Sequence, residues 1–220
     1  EDPELRVGIL TGAGGDFCAG MGRKGPATGF SEEEMARMAE DPDLHWKALL
    51  RHFRPSKSLI AAIEGYCVAG GTEILQATEI RVAAESAQLG IAEVRRGLFP
   101  LGGSTVRLQR QIGFTMAADL LLTGRLISAQ EAKEIGLIGH VVPDGQALAK
   151  AREIAAQIAE NGPLAVAAVL KSMRETAGMT EADGLARELE IGEPIIFNTN
   201  DAKEGPRAFK EKRKPNFTGT

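Results

Sequence analysis

The chain has 220 residues, of which 43% are hydrophobic and 25% are charged, which suits one domain with a buried core, or one domain with an appendage. Its net charge of −4 argues against a protein that binds nucleic acid through general positive charge. No stretch approaches the ~18 uninterrupted apolar residues of a membrane span, and the acidic start lacks the apolar run of a signal peptide. We therefore expect a cytoplasmic protein with no membrane or nucleic-acid partner, whose two cysteines, Cys18 and Cys67, are reduced thiols.

Short apolar segments alternate with helical patterns in the first part of the chain. A strand is expected at 6–12, followed by a glycine-rich turn and a loop that is poor in apolar residues. Ser31 and, three residues later, Glu34 predict a capping box at the start of a helix. Connections between strands are long enough to hold helices, so the pattern favours an α/β fold with largely parallel pairing. The further elements expected here are helices at 45–53 and 72–80 and strands at 58–65 and 80–86.

From residue 105 onwards the apolar spacing is mostly that of amphipathic helices, interrupted by one strand-like segment at 138–143. We expect an α/β core over residues 1–143 and a helical region over residues 144–220. The strand at 6–12 begins abruptly and has no preceding partner, so we also expect that the N-terminal part of the core is missing from this sequence. Glycines mark the expected helix ends at Gly113, Gly124, Gly136 and Gly162.

Three segments combine glycines with acidic side chains or exposed backbone: GGDFCAGM (14–21), GYCVAGGTEI (65–74) and LGIAEVRRG (89–97). Each has a simple structural explanation, because glycines after strands usually form turns and a single glutamate on a helix is usually solvated. Their joint occurrence at the carboxyl ends of predicted strands favours a binding site, since ligands bind there in open α/β folds.

Paired glycines stand at the expected N-terminus of a helix in the second segment. Unpaired N–H groups at such a terminus favour negative charge, so Gly70 and Gly71 form either a plain turn or a site for a developing oxyanion. Glu73 alone is compatible with an acid favoured by the helix dipole. Glu93 alone is compatible with an ion-pair partner of a neighbouring arginine at position 95 or 96.

FCAGM, GYCVAGGTEI and LGIAEVRRGLFPLGGSTVRLQRQIG resemble three signature blocks of the crotonase superfamily, the enoyl-CoA hydratase/isomerase family. LLTGRLISAQEAKEIGLIGHVVP resembles the block that follows them, so the resemblance runs from about residue 6 to the C-terminus, and it is greatest to the actinobacterial enoyl-CoA hydratases. It implies an α/β fold with a crotonase-like ββα spiral core and a C-terminal helical trimerisation region. The implied assembly is a homotrimer or a hexamer, that is, a dimer of trimers.

The resemblance also implies a site. Its oxyanion hole consists of the backbone N–H groups of Met21 and Gly70, and its catalytic residues are Glu73 and Glu93. In hydratases of the family the two carboxylates hold one water: one helps the water attack Cβ, and the second, matched by Glu93, exchanges the proton at Cα. The substrate-binding residues that it implies are Ala19, Gly20, Gly71, Leu101, Gly102, Phe209 and Lys212.

The implied activity is the syn addition of water to a trans-2-enoyl-CoA thioester, which gives a 3-hydroxyacyl-CoA. Coenzyme A enters as part of the substrate, and no metal or other cofactor is implied. Two alternatives stay open: a Δ3–Δ2 enoyl-CoA isomerase, a class that commonly needs only the second glutamate, and a non-catalytic acyl-CoA-binding protein. The sequence departs from the family at Gly22 and Arg23, where the family has Asp and an apolar residue. The loop after Met21, Trp46 or Leu49, and the turn at 97–103 are expected to line the acyl pocket.

Overall fold

The computed structural model describes residues 2, 4–20 and 31–220. Its helices and strands follow the alternation expected from the sequence. Within the described residues the strands are β1 (Val7–Thr11), β2 (Ser58–Ile63), β3 (Tyr66–Val68), β4 (Ile80–Ala84), β5 (Gln88–Gly90), β6 (Leu126–Ser128) and β7 (His140–Val142). The α-helices are α1 (Glu32–Glu40), α2 (Leu44–Ala48), α3 (Gly70–Leu75), α4 (Ser104–Ile112), α5 (Phe114–Thr123), α6 (Ala129–Glu134), α7 (Ala147–Ala159), α8 (Pro163–Thr176), α9 (Glu181–Asn198) and α10 (Asn200–Lys210). A 3₁₀ helix covers Glu93–Arg96.

The strands form two sheets, of order β1-β2-β4-β7 and β3-β5-β6. β2 pairs in parallel with β4, β4 with β7, and β3 with β5, which confirms the predicted parallel pairing. β5 and β6 pair in antiparallel fashion. The sequence predicted the strands of the first sheet but not β3, β5 and β6 of the second, which have three residues each.

The chain divides into two compact units. One consists of Ile9–Arg54 and Leu59–Arg152, and the other of Glu1–Gly8, Pro55–Ser58 and Glu153–Thr220. The first unit has an apolar core that includes Ile63, Leu89 and Leu120, each almost completely buried. In the second unit, α8 packs against α9, and the Asp201 carboxylate accepts hydrogen bonds from the N–H groups of residues 218 and 219. The sequence-based division after residue 143 stays a prediction.

The sequence predicted the start of α1 and the ends of α4 at Gly113 and α5 at Gly124 correctly, but it placed the ends of two other helices too late. Ser31 Oγ accepts a hydrogen bond from Glu34 N at 3.2 Å and Glu34 Oε2 accepts one from Ser31 N at 2.8 Å, so the predicted capping box is confirmed. The helix expected at 45–53 ends at Ala48, because Leu50 adopts a left-handed conformation with φ of 50°. The helix expected at 72–80 ends at Leu75. Among the described residues, no helix is both long and apolar enough to cross a membrane.

Candidate active site

Three parallel backbone segments end side by side, which is where the sequence placed its glycines and acids. Cys18 forms a parallel bridge with Cys67, in which Val68 N donates to Cys18 O at 2.9 Å. β3 in turn pairs with β5, and directly after this pairing Ala69 N donates to Gly90 O at 2.8 Å. Because all three segments run in the same direction, the residues that follow them meet at one edge.

A sharp turn at Ala69 leads from β3 into α3. Ala69 has φ of 53° and ψ of −124°, which a residue with a Cβ rarely adopts and which costs on the order of 1–3 kcal/mol. The turn makes Gly70 the first residue of α3, so its N–H has no partner within the helix. Gly20 lies against it: a Cβ built on Gly20 would lie 3.7 Å from Gly70 N. Gly20 immediately precedes Met21, which lies outside the described residues, so the first oxyanion donor stays a prediction.

The two adjacent glycines are required for different reasons. A Cβ built on Gly71 would lie 2.4 Å from Cys18 O and 2.9 Å from Cys18 Cβ, so only glycine lets the two backbones approach. Among the described residues, a Cβ on Gly70 would meet only Leu49 at 3.8 Å and Gly20 Cα at 4.0 Å, which are ordinary contacts. The packing of the protein itself therefore explains Gly71, whereas the described residues leave room for a Cβ at position 70.

Glu73 lies one helical turn into the protein from this N–H and is only 4% exposed. Its Oε1 accepts a hydrogen bond from Ser104 N at 3.3 Å, at the start of α4. Burial raises the pKa of the Glu73 carboxyl, while hydrogen bonds from Ser104 and Gly102 and the charge of Arg107 oppose that rise. Gly102 packs so closely that a Cβ there would lie 2.4 Å from Glu73 Oε2.

Glu93 begins the 3₁₀ helix that follows β5 and is half-buried. Its Oε2 is buried and has no hydrogen-bond partner among the described residues, which is a costly arrangement unless a ligand or a water occupies the site. Burial raises the pKa of the Glu93 carboxyl, and the negative charge of Glu73 raises it further. The charge on Glu73 therefore affects the protonation of Glu93.

Sequence reasoning missed two hydroxyl residues behind the site. The Thr72 hydroxyl lies 2.5 Å from Cys67 O and 2.9 Å from Gly90 O, and it accepts a hydrogen bond from Gly90 N, so it ties β3 and β5 to α3. Ser104 supplies the N–H that binds Glu73. The only signal for either residue was a small polar side chain directly beside a glycine pair.

The remaining predicted residues divide between the two units. In the unit that holds the glutamates, Ala19 and Leu101 are exposed, and Arg51 lies 5.2 Å from the ring centroid of Trp46. In the other unit, Phe209 is 87% exposed on α10, and Lys212 follows that helix with φ of 55°. Substrate contacts by these side chains stay predictions.

The sequence profile described as "Enoyl-CoA hydratase/isomerase" matches residues 1–220. The chain belongs to the enoyl-CoA hydratase/isomerase family. Enoyl-CoA hydratase EchA19 of Mycobacterium tuberculosis is 57% identical to it over 221 residues, which cover 98% of this chain and 80% of that relative. The carnitinyl-CoA dehydratase of Proteus mirabilis is 36% identical over 100% of this chain and 84% of its own length. The crystal structure of an enoyl-CoA hydratase from Bacillus anthracis matches with a TM-score of 0.88 at 41% identity, covering 100% of this chain and 84% of that one. These matches confirm the family and the crotonase fold that the four sequence blocks indicated.

Proposed function

We propose that the protein is an enoyl-CoA hydratase, which adds water in syn geometry to a trans-2-enoyl-CoA thioester and yields the 3-hydroxyacyl-CoA. The observation that carries this proposal is the pair of carboxyls, on buried Glu73 and half-buried Glu93, at the same edge as the Gly70 N–H, which has no partner within its helix. An isomerase needs one group that moves a proton at carbon, whereas hydration also needs a group that activates water. The relative named a hydratase at 57% identity supports the same conclusion.

In the proposed mechanism the two carboxyls hold one water between them. Ionised Glu73 takes a proton from this water as its oxygen bonds to Cβ, and protonated Glu93 delivers its proton to Cα. The thioester carbonyl gains enolate character in between, and the N–H of Gly70, together with that predicted for Met21, stabilises the charge. A preorganised donor of this kind contributes about 10²–10³-fold to the rate. Transfer of the proton from Glu73 to Glu93 restores the starting state.

The pKa directions fit this division of roles. Both carboxyls have a raised pKa, and the negative charge of Glu73 favours the proton on Glu93, so the arrangement favours one ionised and one protonated group. The rate is expected to fall on the acid side when Glu73 becomes protonated, and on the basic side when Glu93 loses its proton.

Three further features belong to the same proposal. The chemistry requires only carboxyls and backbone N–H groups, so we propose that it uses no metal or other cofactor and that coenzyme A enters with the substrate; activity should survive treatment with EDTA. We propose a homotrimer or a hexamer, supported by large apolar side chains exposed on α9, and light scattering should give about three or six times the chain mass. A cytoplasmic location and a role in the β-oxidation of acyl chains are proposed with it, and cell fractionation tests the location. The exposed α9 side chains are Leu185, Leu189, Ile196 and Phe197.

The decisive experiment follows the loss of enone absorbance with crotonyl-CoA and with a long or branched enoyl-CoA. Glu73→Gln and Glu93→Gln are each expected to reduce kcat by about 10²–10⁴-fold, because each removes a group that moves a proton. Glu85→Gln, a change at an exposed glutamate of the same unit, is the matched control and should leave the rate unchanged.

The outcomes separate the candidate functions. Wild-type protein that hydrates neither substrate refutes the proposal. Conversion of a 3-enoyl-CoA that survives in Glu73→Gln but not in Glu93→Gln would identify an isomerase instead. Binding of acyl-CoA without turnover or exchange of the Cα proton would identify a binding protein, and hydration that persists in one glutamate variant would remove that residue from the mechanism.

A further inference from the structure

The guanidinium group of Arg107, on α4, joins three backbone segments through their carbonyl oxygens. Nη2 donates to Leu50 O at 2.7 Å, and Nη1 lies 3.2 Å from Leu49 O, 3.3 Å from Gly102 O and 3.5 Å from Glu73 O. A planar group with five fixed donors suits this geometry, whereas an ammonium group offers a single point of contact. One side chain therefore fixes the relative positions of three chain segments.

Each of the three segments forms part of the candidate site. The Glu73 segment carries a proposed catalytic carboxylate, and Gly102 packs directly against that carboxylate. The Leu49–Leu50 turn ends α2, and the Leu49 side chain lies beside Gly70. Leu50 has φ of 50°, a conformation that persists only where its surroundings enforce it, and the short bond from Arg107 to its carbonyl does so.

The charge of Arg107 is half-buried and lies in a distinctive setting. Among the described residues, no carboxylate lies within ion-pair distance of it, and the charges that act on it are those of Arg54, Arg51 and Glu73. Burial and the two neighbouring arginines lower the pKa of Arg107, while Glu73 opposes that change. Conversely, the charge of Arg107 lowers the pKa of Glu73, while no arginine contributes to the shift of Glu93. Glu73 and Glu93 are therefore electrostatically unequal.

We propose that Arg107 is a positioning residue for the reaction: it fixes the relative positions of the Leu49–Leu50 turn, Gly102 and the Glu73 segment, and its positive charge favours the ionised form of Glu73. This inference rests on the proposed hydratase function. It means that a third side chain, which itself touches no reacting atom, helps to determine which glutamate acts as the base and which as the acid.

The test compares two variants. Arg107→Gln removes both the positive charge and the planar set of five donors, whereas Arg107→Lys keeps the positive charge but not the planar set of donors. Arg110→Gln, an exposed position on the same helix, is the control. We expect kcat to fall by about 10–100-fold in both Arg107 variants, because small displacements of catalytic groups are costly. The acid limb of the pH profile should move to higher pH in Arg107→Gln and stay in place in Arg107→Lys and Arg110→Gln. The pKa of the Glu73 carboxyl can be followed in the free protein by its ¹³C resonance, which Glu73→Gln assigns. In Arg107→Gln this pKa should also move to higher pH.

Two results would overturn the proposal. One is an Arg107→Gln variant whose kcat and Glu73 titration match the wild type. The other is an equal loss of kcat in both Arg107 variants with no movement of the acid limb in either, which would mean a purely structural role. Should Arg107→Gln fail to fold, Arg107→Lys decides: unchanged kcat refutes the positioning role. A wild-type protein that hydrates neither substrate would refute the proposed function but not the role of Arg107. The Glu73 titration needs no turnover, so it tests the role of Arg107 in that case as well.

Discussion

Gly102→Ala is the smallest change that directly tests the geometry around Glu73. The added Cβ would lie 2.4 Å from Oε2 and 2.6 Å from Cδ of that carboxylate, and ordinary contact begins at 3.4 Å, so Oε2 has to move by about 1 Å. Such a displacement lengthens the 3.3 Å bond from Ser104 N and misplaces the proposed base. We expect kcat for hydration to fall by about 10²-fold and the free energy of unfolding to fall by about 1–3 kcal/mol.

Steady-state hydration of crotonyl-CoA and urea unfolding measure the two quantities. Gly14→Ala is the matched control, since a Cβ there has no neighbour within 4 Å in the part of the chain that the structure describes, and Gly14 has no left-handed φ. The effect on rate should also disappear in the background of Glu73→Gln, because a group that no longer acts as a base cannot be misplaced. A Gly102→Ala variant with wild-type kcat, or one that lowers the rate equally in both backgrounds, would contradict this account.

Three further predictions concern the stability of the same site. Gly71→Ala should lower the free energy of unfolding in urea by about 1–3 kcal/mol, because its Cβ meets backbone at 2.4 Å, while Gly70→Ala should leave that free energy nearly unchanged. Thr72→Val should cost about 1–3 kcal/mol in the same assay, since it removes the hydroxyl that accepts a hydrogen bond from the buried Gly90 N–H. Glu73 and Glu93 both have folded-state pKa values above the ordinary 4.5, so the folded protein binds more protons than the unfolded chain between 4.5 and the raised values. The free energy of unfolding should therefore fall as pH rises through that window, and Glu93→Gln should make the fall smaller; an unchanged slope would contradict the assigned shift.

The positions of the main helices and strands could be predicted from the sequence because these elements have strong local signals. β2 is a nearly continuous apolar run, and the start of α1 has a complete capping box. The helix expected at 45–53 lacked such a local signal at its C-terminal end, where the structure shows a contact with a distant segment. The end of α2 depends on Leu50, whose carbonyl is held by Arg107 from a helix more than fifty residues away. Local propensity contains no information about such a partner.

The same distinction applies to the site. Resemblance to the family singled out Glu73, Glu93 and Gly70, because these positions stand in recognisable blocks. It did not show that Gly71 is required by packing against Cys18, nor that Gly102 is required by the carboxylate. These requirements arise from close contacts between segments that are remote in sequence, so they can be recognised only in the three-dimensional structure.

Several locally unfavourable features are concentrated at this one edge of the fold. Ala69 and Leu50 take left-handed backbone conformations, each at a cost of about 1–3 kcal/mol, and Glu93 Oε2 is buried without a partner among the described residues. A plain strand-to-helix turn would need none of them, and a solvated glutamate would not be 4% exposed, as Glu73 is. The fold maintains them through specific bonds, from Ala69 N to Gly90 O and from Arg107 to Leu50 O. Backbone strain and buried carboxyls occur together at this edge, and hydrogen bonds from other segments maintain them. This combination argues for a catalytic site rather than for a simple turn with solvated acids.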